Sequence, residues 1–434
     1  MSEVAYVLKG YPRLSETFIT SEIFRVEQAG QSVRLFVIKA LEDHQRASHY
    51  PVVERIKARP VYLPAATPLT GTPLRRWLPR NLPAFAPALR RVARRRPAGT
   101  ARALAVVVAQ TARELRDEPL KPRKKHLKEF LQAAALADEV MRCPQIARLH
   151  AHFANDTTMV AWLAALMTGL RFSFTAHAHD IYDAALNPAG LLRRKLLAAE
   201  FVVTCTEANR RHLHGLAPEA TVHRVYHGLN ADVARMVAGA PPHAARNGRL
   251  RVLAVGRLVR KKGFDVLVDA CFELERRGVP FDALIVGPDG GEGDALRSRI
   301  GERGLDGRVT LTGSMDQVAL CDEYRRADVL CQPSRVLGND RDGIPNVLVE
   351  GMACGVPVVT TNVSGIPELV TDAVNGLLVP ADDPAALAGA LQRLAADPGL
   401  GERLAQAGAQ TVRERFDGTR AAASLVELFA GAAA

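Results

Sequence analysis

From Arg251 to Val379 the chain alternates short apolar runs with helical patterns, and no other feature restricts its fold as strongly. Arg251–Gly256, Ala283–Val286, Val309–Gly313, Val329–Gln332, Val356–Thr360 and Leu377–Val379 read as strands. Phe264–Arg277, Gly293–Arg303 and Gln317–Arg326 carry helical spacing between them, and Gly278 reads as a helix stop. Asp383-Pro384 reads as the cap and first residue of a helix ending near Asp397. Strands that are apolar throughout must be covered on both faces. The pattern therefore predicts an α/β fold with a doubly wound parallel sheet, whose ligands sit at the carboxyl ends of the strands.

The N-terminal half repeats the alternation less cleanly. Val4–Leu8, Val33–Ile38, Arg148–His152, Phe172–Thr175 and Phe201–Thr204 read as strands, with helices over Glu16–Ala29 and Asn155–Thr168. A length of 434 residues suits two domains of about 200 residues each. The first is expected over 1–237 and the second over 248–414, joined by a Pro- and polar-rich linker at Ala238–Gly248. A closing helix, about 415–434, is expected to pack back on the first domain. Residues 64–128 fit no alternation: nine prolines punctuate Arg-rich stretches, which reads as an insertion of short amphipathic helices.

Composition, with 48% hydrophobic and 24% charged residues, is that of a globular protein. The net charge of +11 is uneven, because 16 Lys or Arg face 3 acids between Arg75 and Lys128, leaving the remainder slightly acidic. Trp77, Leu78, Leu82, Phe85 and Leu89 interleave with those arginines. That favours an anionic membrane surface or lipid phosphate over a merely solvated excursion. Nucleic acid is disfavoured, since no binding motif accompanies the basic run. No apolar run approaches the roughly 18 residues of a membrane span, and the N-terminus shows no signal pattern. Six scattered cysteines without C-x-x-C spacing point to buried thiols in a reducing cytoplasm.

Two loops carry the chemistry of the second half. In Asp342-Gly-Ile-Pro-Asn-Val-Leu-Val-Glu350, Gly343 and Pro345 break the chain and Asn346 is placed to cap the next helix. The helix start offers N–H groups to a phosphate or sugar oxygen, and Glu350, one turn in, can hold vicinal hydroxyls. Phosphate and diol together describe a nucleotide sugar. In Gly256-Arg257-Leu-Val-Arg-Lys-Lys262-Gly263, Arg257 offers a planar fork for phosphate oxygens and Lys262 a mobile point charge.

In the first half, Thr175-Ala-His177-Ala-His179-Asp180 follows a strand, so His177 can meet a sugar hydroxyl and Asp180 can orient it or receive an acceptor hydroxyl. His150-x-His152 also ends a strand; a metal site there lacks a matching ligand pattern downstream. Asp340-Arg-Asp342 is formally D-x-D, but its position after a Rossmann-like strand marks it as coincidental. Ser15 is placed to cap a helix with Glu16 and Thr17 in its first turn.

The run Asp342–Thr360, with Pro333-Ser334 before it, resembles the E-x7-E signature of family-4 retaining glycosyltransferases, Asp342 standing where the family usually has Glu. The Gly256–Gly263 loop resembles that family's G-R-x(3-4)-K-G, and the Lys-Gly pairing selects Lys262 over Lys261. Pro12–Ile19 resembles the P-x-x-S-E-T-F-I opening of bacterial exopolysaccharide transferases of the colanic-acid type, with only Gly10 where the wider family has Gly-Gly. The resemblance spans most of the chain outside 64–128. It implies the GT-B fold, two Rossmann-like domains facing across a cleft, the second binding the donor.

The implied activity is retaining transfer of a hexose from a nucleoside-diphosphate sugar to a lipid-linked saccharide, in exopolysaccharide or lipopolysaccharide synthesis at the inner face of the plasma membrane. By the same resemblance Glu350 holds the ribose, Arg257 and Lys262 the diphosphate, and His177 with Asp342 the sugar. Gly256, Gly343, Ile344, Pro345 and Asn346 line the donor site, and Ser15, Glu16, Thr17 and Asp180 face the acceptor. No metal or cofactor is expected, and the other partner is an anionic membrane met through 75–128. The rivals are a sugar-nucleotide epimerase on the same scaffold and a non-catalytic lipid-binding protein. A nicotinamide enzyme is disfavoured, since no G-x-G-x-x-G opens either half.

Overall fold

The structure is a computed structural model that describes residues 2–13, 16–39, 51–67, 72–117, 124–237 and 248–431. Two compact units emerge. The first comprises Met1–Cys205, Asn209–Val225 and Ala422–Ala434; the second comprises Thr206–Ala208 and Tyr226–Ala421.

The first unit holds β1 (Glu3–Leu8), β2 (Val33–Val37), β3 (Pro60–Tyr62), β4 (Ile146–His152), β5 (Arg171–Ala176), β6 (Val202–Thr204) and β7 (Val222–Arg224). They form one parallel sheet in the order β3-β2-β1-β4-β5-β6-β7. The second unit holds β8 (Leu250–Val255), β9 (Phe281–Val286), β10 (Val309–Gly313), β11 (Val329–Gln332), β12 (Val358–Thr361) and β13 (Leu377–Val379). Their order is β10-β9-β8-β11-β12-β13, again parallel. In both sheets the order reverses beside the first strand, between β1 and β4 and between β8 and β11. Ligands of doubly wound sheets bind at such switch points, outside the carboxyl ends. The fold class read from the alternation is the one observed.

Helices cover both faces of each sheet, and the central strands are buried on both sides. Val252, Ala254, Ile285, Val329, Cys331 and Val359 are all buried in one core under the helix Phe264–Arg276 and its neighbours. Burying each Val or Ile side chain is worth about 1.5–3 kcal/mol, which makes these strands the fixed frame of the site.

Three expectations are corrected. The basic insertion is not a set of short helices: it contains two long ones, Leu74–Arg95 and Pro97–Asp117. Pro79, Pro83 and Pro87 lie inside the first, yet all three are exposed. Spaced by four, they share one solvent face, where water can satisfy the carbonyls they leave without a donor. The opposite face, Trp77, Asn81, Phe85, Ala88 and Val92, is buried.

Trp77 and Phe85 therefore belong to a core with Leu131 and Ala135, and neither is available to a membrane. Trp77 Nε1 donates to Thr67 O at 3.0 Å. Finally, Pro345 occupies the cap position of the helix Asn346–Ala353 and Asn346 is its first residue, with no side-chain capping bond.

Several elements escaped the sequence reading, β3, β7 and one long helix among them. β3 and β7 are three-residue edge strands, β3 starting on Pro60 where no ladder N–H is needed. The helix Lys125–Met141 follows the basic insertion and is almost wholly buried beyond Phe130. At the chain's end, Leu428 O accepts from Arg148 Nη1 at 3.3 Å and Phe429 meets His150 edge-on. None of the helices among the described residues is long and apolar enough to cross a membrane.

Candidate active site

At the switch point of the second sheet, β8 ends on Val255 and the chain turns through Gly256–Gly263 into the helix Phe264–Arg276. Gly263 has φ +69°, and a Cβ there would lie 1.9 Å from Pro333 O, so only glycine lets this loop meet the loop after β11. Arg335 locks the contact. Its N–H donates to Lys261 O at 2.9 Å, its Nε to Arg260 O at 2.7 Å, and its guanidinium pairs with Asp265 and with Asp382.

The basic loop thereby delivers its lysines to the acidic one. Lys262 Nζ is 2.6 Å from Asp342 Oδ2, and Lys261 Nζ reaches Asp342 Oδ1 at 3.3 Å and Asp340 Oδ1 at 2.8 Å. Partial burial would raise the Asp342 carboxyl, but Lys262 and then Lys261 outweigh it and hold it below the usual carboxylate range. The same acids raise Lys261 despite its burial. Asp340 and Asp342 thus act as a counter-charge to two lysines, and both oxygens of Asp342 are occupied. Lys262 lies over Gly256, whose Cβ would come within 3.3 Å of Lys262 Cε. The next side chain, Arg257, is exposed and pairs with no carboxylate among the described residues.

Glu350 sits on the helix that follows, 6% exposed, and accepts a hydrogen bond from the buried Tyr324 hydroxyl at 3.1 Å. Burial pushes its carboxyl up to about 7; the Tyr324 bond lowers it and the nearby Cys321 raises it. Gly343, Ile344 and Asn346 are half-buried and Pro345 is buried, forming the approach to that helix.

In the first unit the corresponding positions follow β1, β4 and β5. His177 caps the short helix Ala178–Tyr182, 7% exposed, with its ring 4.5 Å from that of Phe153, 5.0 Å from Phe18 and 5.8 Å from His152. Asp180 is fully buried. Its carboxylate accepts from His177 N at 2.7 Å and from Ala154 N, and burial pushes it up to about 7. Of the two roles expected of Asp180, orienting His177 or receiving an acceptor hydroxyl, these backbone bonds suit the first.

A second clamp, absent from the sequence reading, is Lys195. Fully buried, it donates to Ala154 O at 2.8 Å, Asn155 O at 2.9 Å and Asn187 Oδ1 at 2.7 Å, and burial lowers it to about 7. Asn187 closes the circuit through Asp180 O at 3.0 Å. These bonds hold Phe153 at φ 71°, a conformation that costs a bulky residue about 1–3 kcal/mol.

Glu16 is buried and paired with Arg13 at 2.6 Å; burial raises its carboxyl and Arg13 opposes that. Thr17 is half-buried and opens the first helix, and Ser15 lies outside the described residues. The carboxylate that sequence failed to find for His150-x-His152 is Glu22. One ligand atom from each of the three lies within 4.8 Å of the others. His152 Nε2 meets Glu22 Oε1 at 3.0 Å, whereas both His150 nitrogens are engaged, with Ser173 Oγ at 2.9 Å and Thr175 Oγ1 at 3.0 Å.

Residues 240–411 match the family described as glycosyl transferases group 1. The chain is 40% identical over 146 residues to the amylovoran biosynthesis glycosyltransferase AmsK of Erwinia amylovora, covering 33% of this chain and 36% of that one. It is 32% identical over 289 residues to the phosphatidyl-myo-inositol mannosyltransferase of Mycobacterium leprae, covering 65% and 72%. It is also similar to the solved sucrose-phosphate synthase of Thermosynechococcus elongatus, at 20% identity and TM-score 0.68, over 99% of this chain and 98% of that one. The chain belongs to the group 1 glycosyl transferases, and its fold is GT-B. It spans about a third to a half of the length of the first curated relatives it matches.

Proposed function

We propose that this protein is a retaining glycosyltransferase that moves a hexose from a nucleoside-diphosphate sugar to a saccharide acceptor. The observation that carries the reading is the convergence of Lys261, Lys262 and Asp342 beside the exposed Arg257, at the switch point of the second sheet. Cations fixed there stabilise the charge that grows on a departing diphosphate, often the largest single contribution to such catalysis. They supply that charge without a metal ion. Glu350 receives the ribose hydroxyls, and Gly256, Gly343, Ile344, Pro345 and Asn346 shape the donor site.

Retention follows from front-face displacement. The bond from the anomeric carbon to the phosphate oxygen breaks, the acceptor oxygen bonds to the same face, and its proton passes to the departing phosphate. Asp342 keeps Lys262 aimed during this step. On the first unit, Glu16, Thr17 and His177 stand at the strand ends where an acceptor would be held.

The acceptor is a lipid-linked saccharide and the pathway exopolysaccharide or lipopolysaccharide assembly, with the protein peripheral at the inner face of the plasma membrane. The likeness to an amylovoran enzyme and the Pro12–Ile19 opening support this. Thermal shift with a panel of nucleotide sugars, followed by product analysis, tests the function. Stabilisation by one donor and an anomer-retaining transfer product are expected. Isomerised donor without any acceptor would instead establish an epimerase, and an unchanged function in Glu350→Ala a non-catalytic protein.

A further inference from the structure

The helix Pro97–Asp117 carries a second, apolar side opposite the one it buries. One side, Gly99, Ala103, Val107, Gln110 and Glu114, is buried. Gly99 packs so closely that a Cβ would lie 2.5 Å from Leu166 O. The other side, Ala101, Leu104, Ala105, Val108, Ala112 and Leu115, is exposed, Val108 by 59% and Leu104 by 47%. Those positions follow at i, i+3, i+4, i+7, i+11 and i+14, so they form one continuous stripe along four turns. A helix that only covered the domain would carry charges there.

The charges near the stripe have one sign. Residues 72–113 contain no Asp or Glu, and the first acid, Glu114, is buried against His126. Arg102, Arg113 and Arg116 are exposed along one flank of the stripe. None of them pairs with a carboxylate among the described residues. Arg94, Arg95 and Arg96 are exposed where the preceding helix joins this one.

We infer that this stripe and its arginine border form a docking face for an anionic lipid bilayer, with Leu104, Val108 and Leu115 entering the headgroup layer. An apolar ridge flanked by unpaired cations suits an interface that is apolar within and anionic at its surface. A second copy of this chain would bring like charges together at the same border. The inference rests on the lipid-linked acceptor proposed above, and it relocates the membrane contact from Trp77 and Phe85, which are core, to the outer side of the following helix.

Flotation of the full chain with phosphatidylcholine vesicles, with and without phosphatidylglycerol, tests it. Binding is expected only with the anionic lipid. Leu104→Asp with Val108→Asp should reduce it at least about tenfold, since both side chains face solvent and their replacement leaves the fold intact by circular dichroism. Replacing Arg102, Arg113 and Arg116 by Gln should weaken it about fivefold per residue at low salt, with the difference fading at high salt. Equal binding to neutral vesicles, no binding, or an undiminished double variant overturns the inference. So does a wild-type dimer that the double variant dissolves, which would make the stripe a subunit contact. Thermal shift by UDP and GDP separates the two readings. If it persists without vesicle binding, only the docking face is wrong; if it is absent while vesicles bind, the transferase reading fails instead.

Discussion

Lys262 Nζ lies 2.6 Å from Asp342 Oδ2, so the proposed phosphate-binding lysine is held by an acid 80 residues further along the chain. Asp342 holds Lys262 through Oδ2 and Lys261 through Oδ1, so a diphosphate must compete with it for the same ammonium groups.

That competition predicts opposite effects on binding and turnover. Asp342→Asn should tighten the affinity for free nucleoside diphosphate a fewfold while lowering kcat/KM at least about tenfold, because Lys262 is released but no longer aimed. Lys262→Ala should lower kcat about a hundredfold or more. Calorimetry and steady-state kinetics on the three proteins read this directly; weakened nucleotide binding in Asp342→Asn would contradict it.

Glu350 sets a pH dependence. Its carboxyl is raised to about 7, and only the ionised form accepts two hydroxyl hydrogens. Donor affinity should therefore rise with pH up to about 7 and level off above it. Tyr324→Phe removes the hydrogen bond that holds the value down, so the break should move to higher pH. A titration of donor affinity from pH 5.5 to 8.5 that is flat, or that falls with pH, opposes this role.

The same carboxyl carries a stability consequence. A folded value above the ordinary 4.5 means the native state binds the proton more tightly than the unfolded chain. Its contribution is present in full below about 4.5 and is lost as pH rises through 7. Glu350→Gln should thus be roughly 3 kcal/mol more stable than wild type at pH 8 and little different at pH 4.5, while losing donor binding. Urea melts at both pH values check it.

Lys195→Met should destabilise the protein by about 3 kcal/mol, since Ala154 O, Asn155 O and Asn187 Oδ1 would be buried without a donor. Transfer should fall while affinity for nucleoside diphosphate is kept. A variant that retains full transfer would show that Phe153 needs no clamp.

β10, β11 and β13 have the boundaries their short runs between helical patterns imply. The insertion resisted reading for the opposite reason. Proline argues against a helix only where its missing N–H faces the interior, and Pro79, Pro83 and Pro87 face water. The i, i+4 spacing of Trp77, Asn81 and Phe85 was the available signal. At the site, Lys262, Asp342 and Glu350 stand out because each belongs to a strand–loop–helix unit of fixed spacing. Lys195, Tyr324 and Arg335 do not. Each is a single residue whose partners lie elsewhere in the chain or in backbone carbonyls, and nothing local marks such a residue.

In the proposed function, Arg257, Lys262 and Glu350 hold different parts of one activated sugar. Calorimetric titration of the wild type, Arg257→Ala, Lys262→Ala and Glu350→Ala with a nucleoside, its monophosphate and its diphosphate tests it most directly. The two cation variants should lose the gain from monophosphate to diphosphate, whereas Glu350→Ala should weaken all three ligands equally. Wild-type affinities throughout the set, or a diphosphate gain that survives without Arg257 and Lys262, would contradict it.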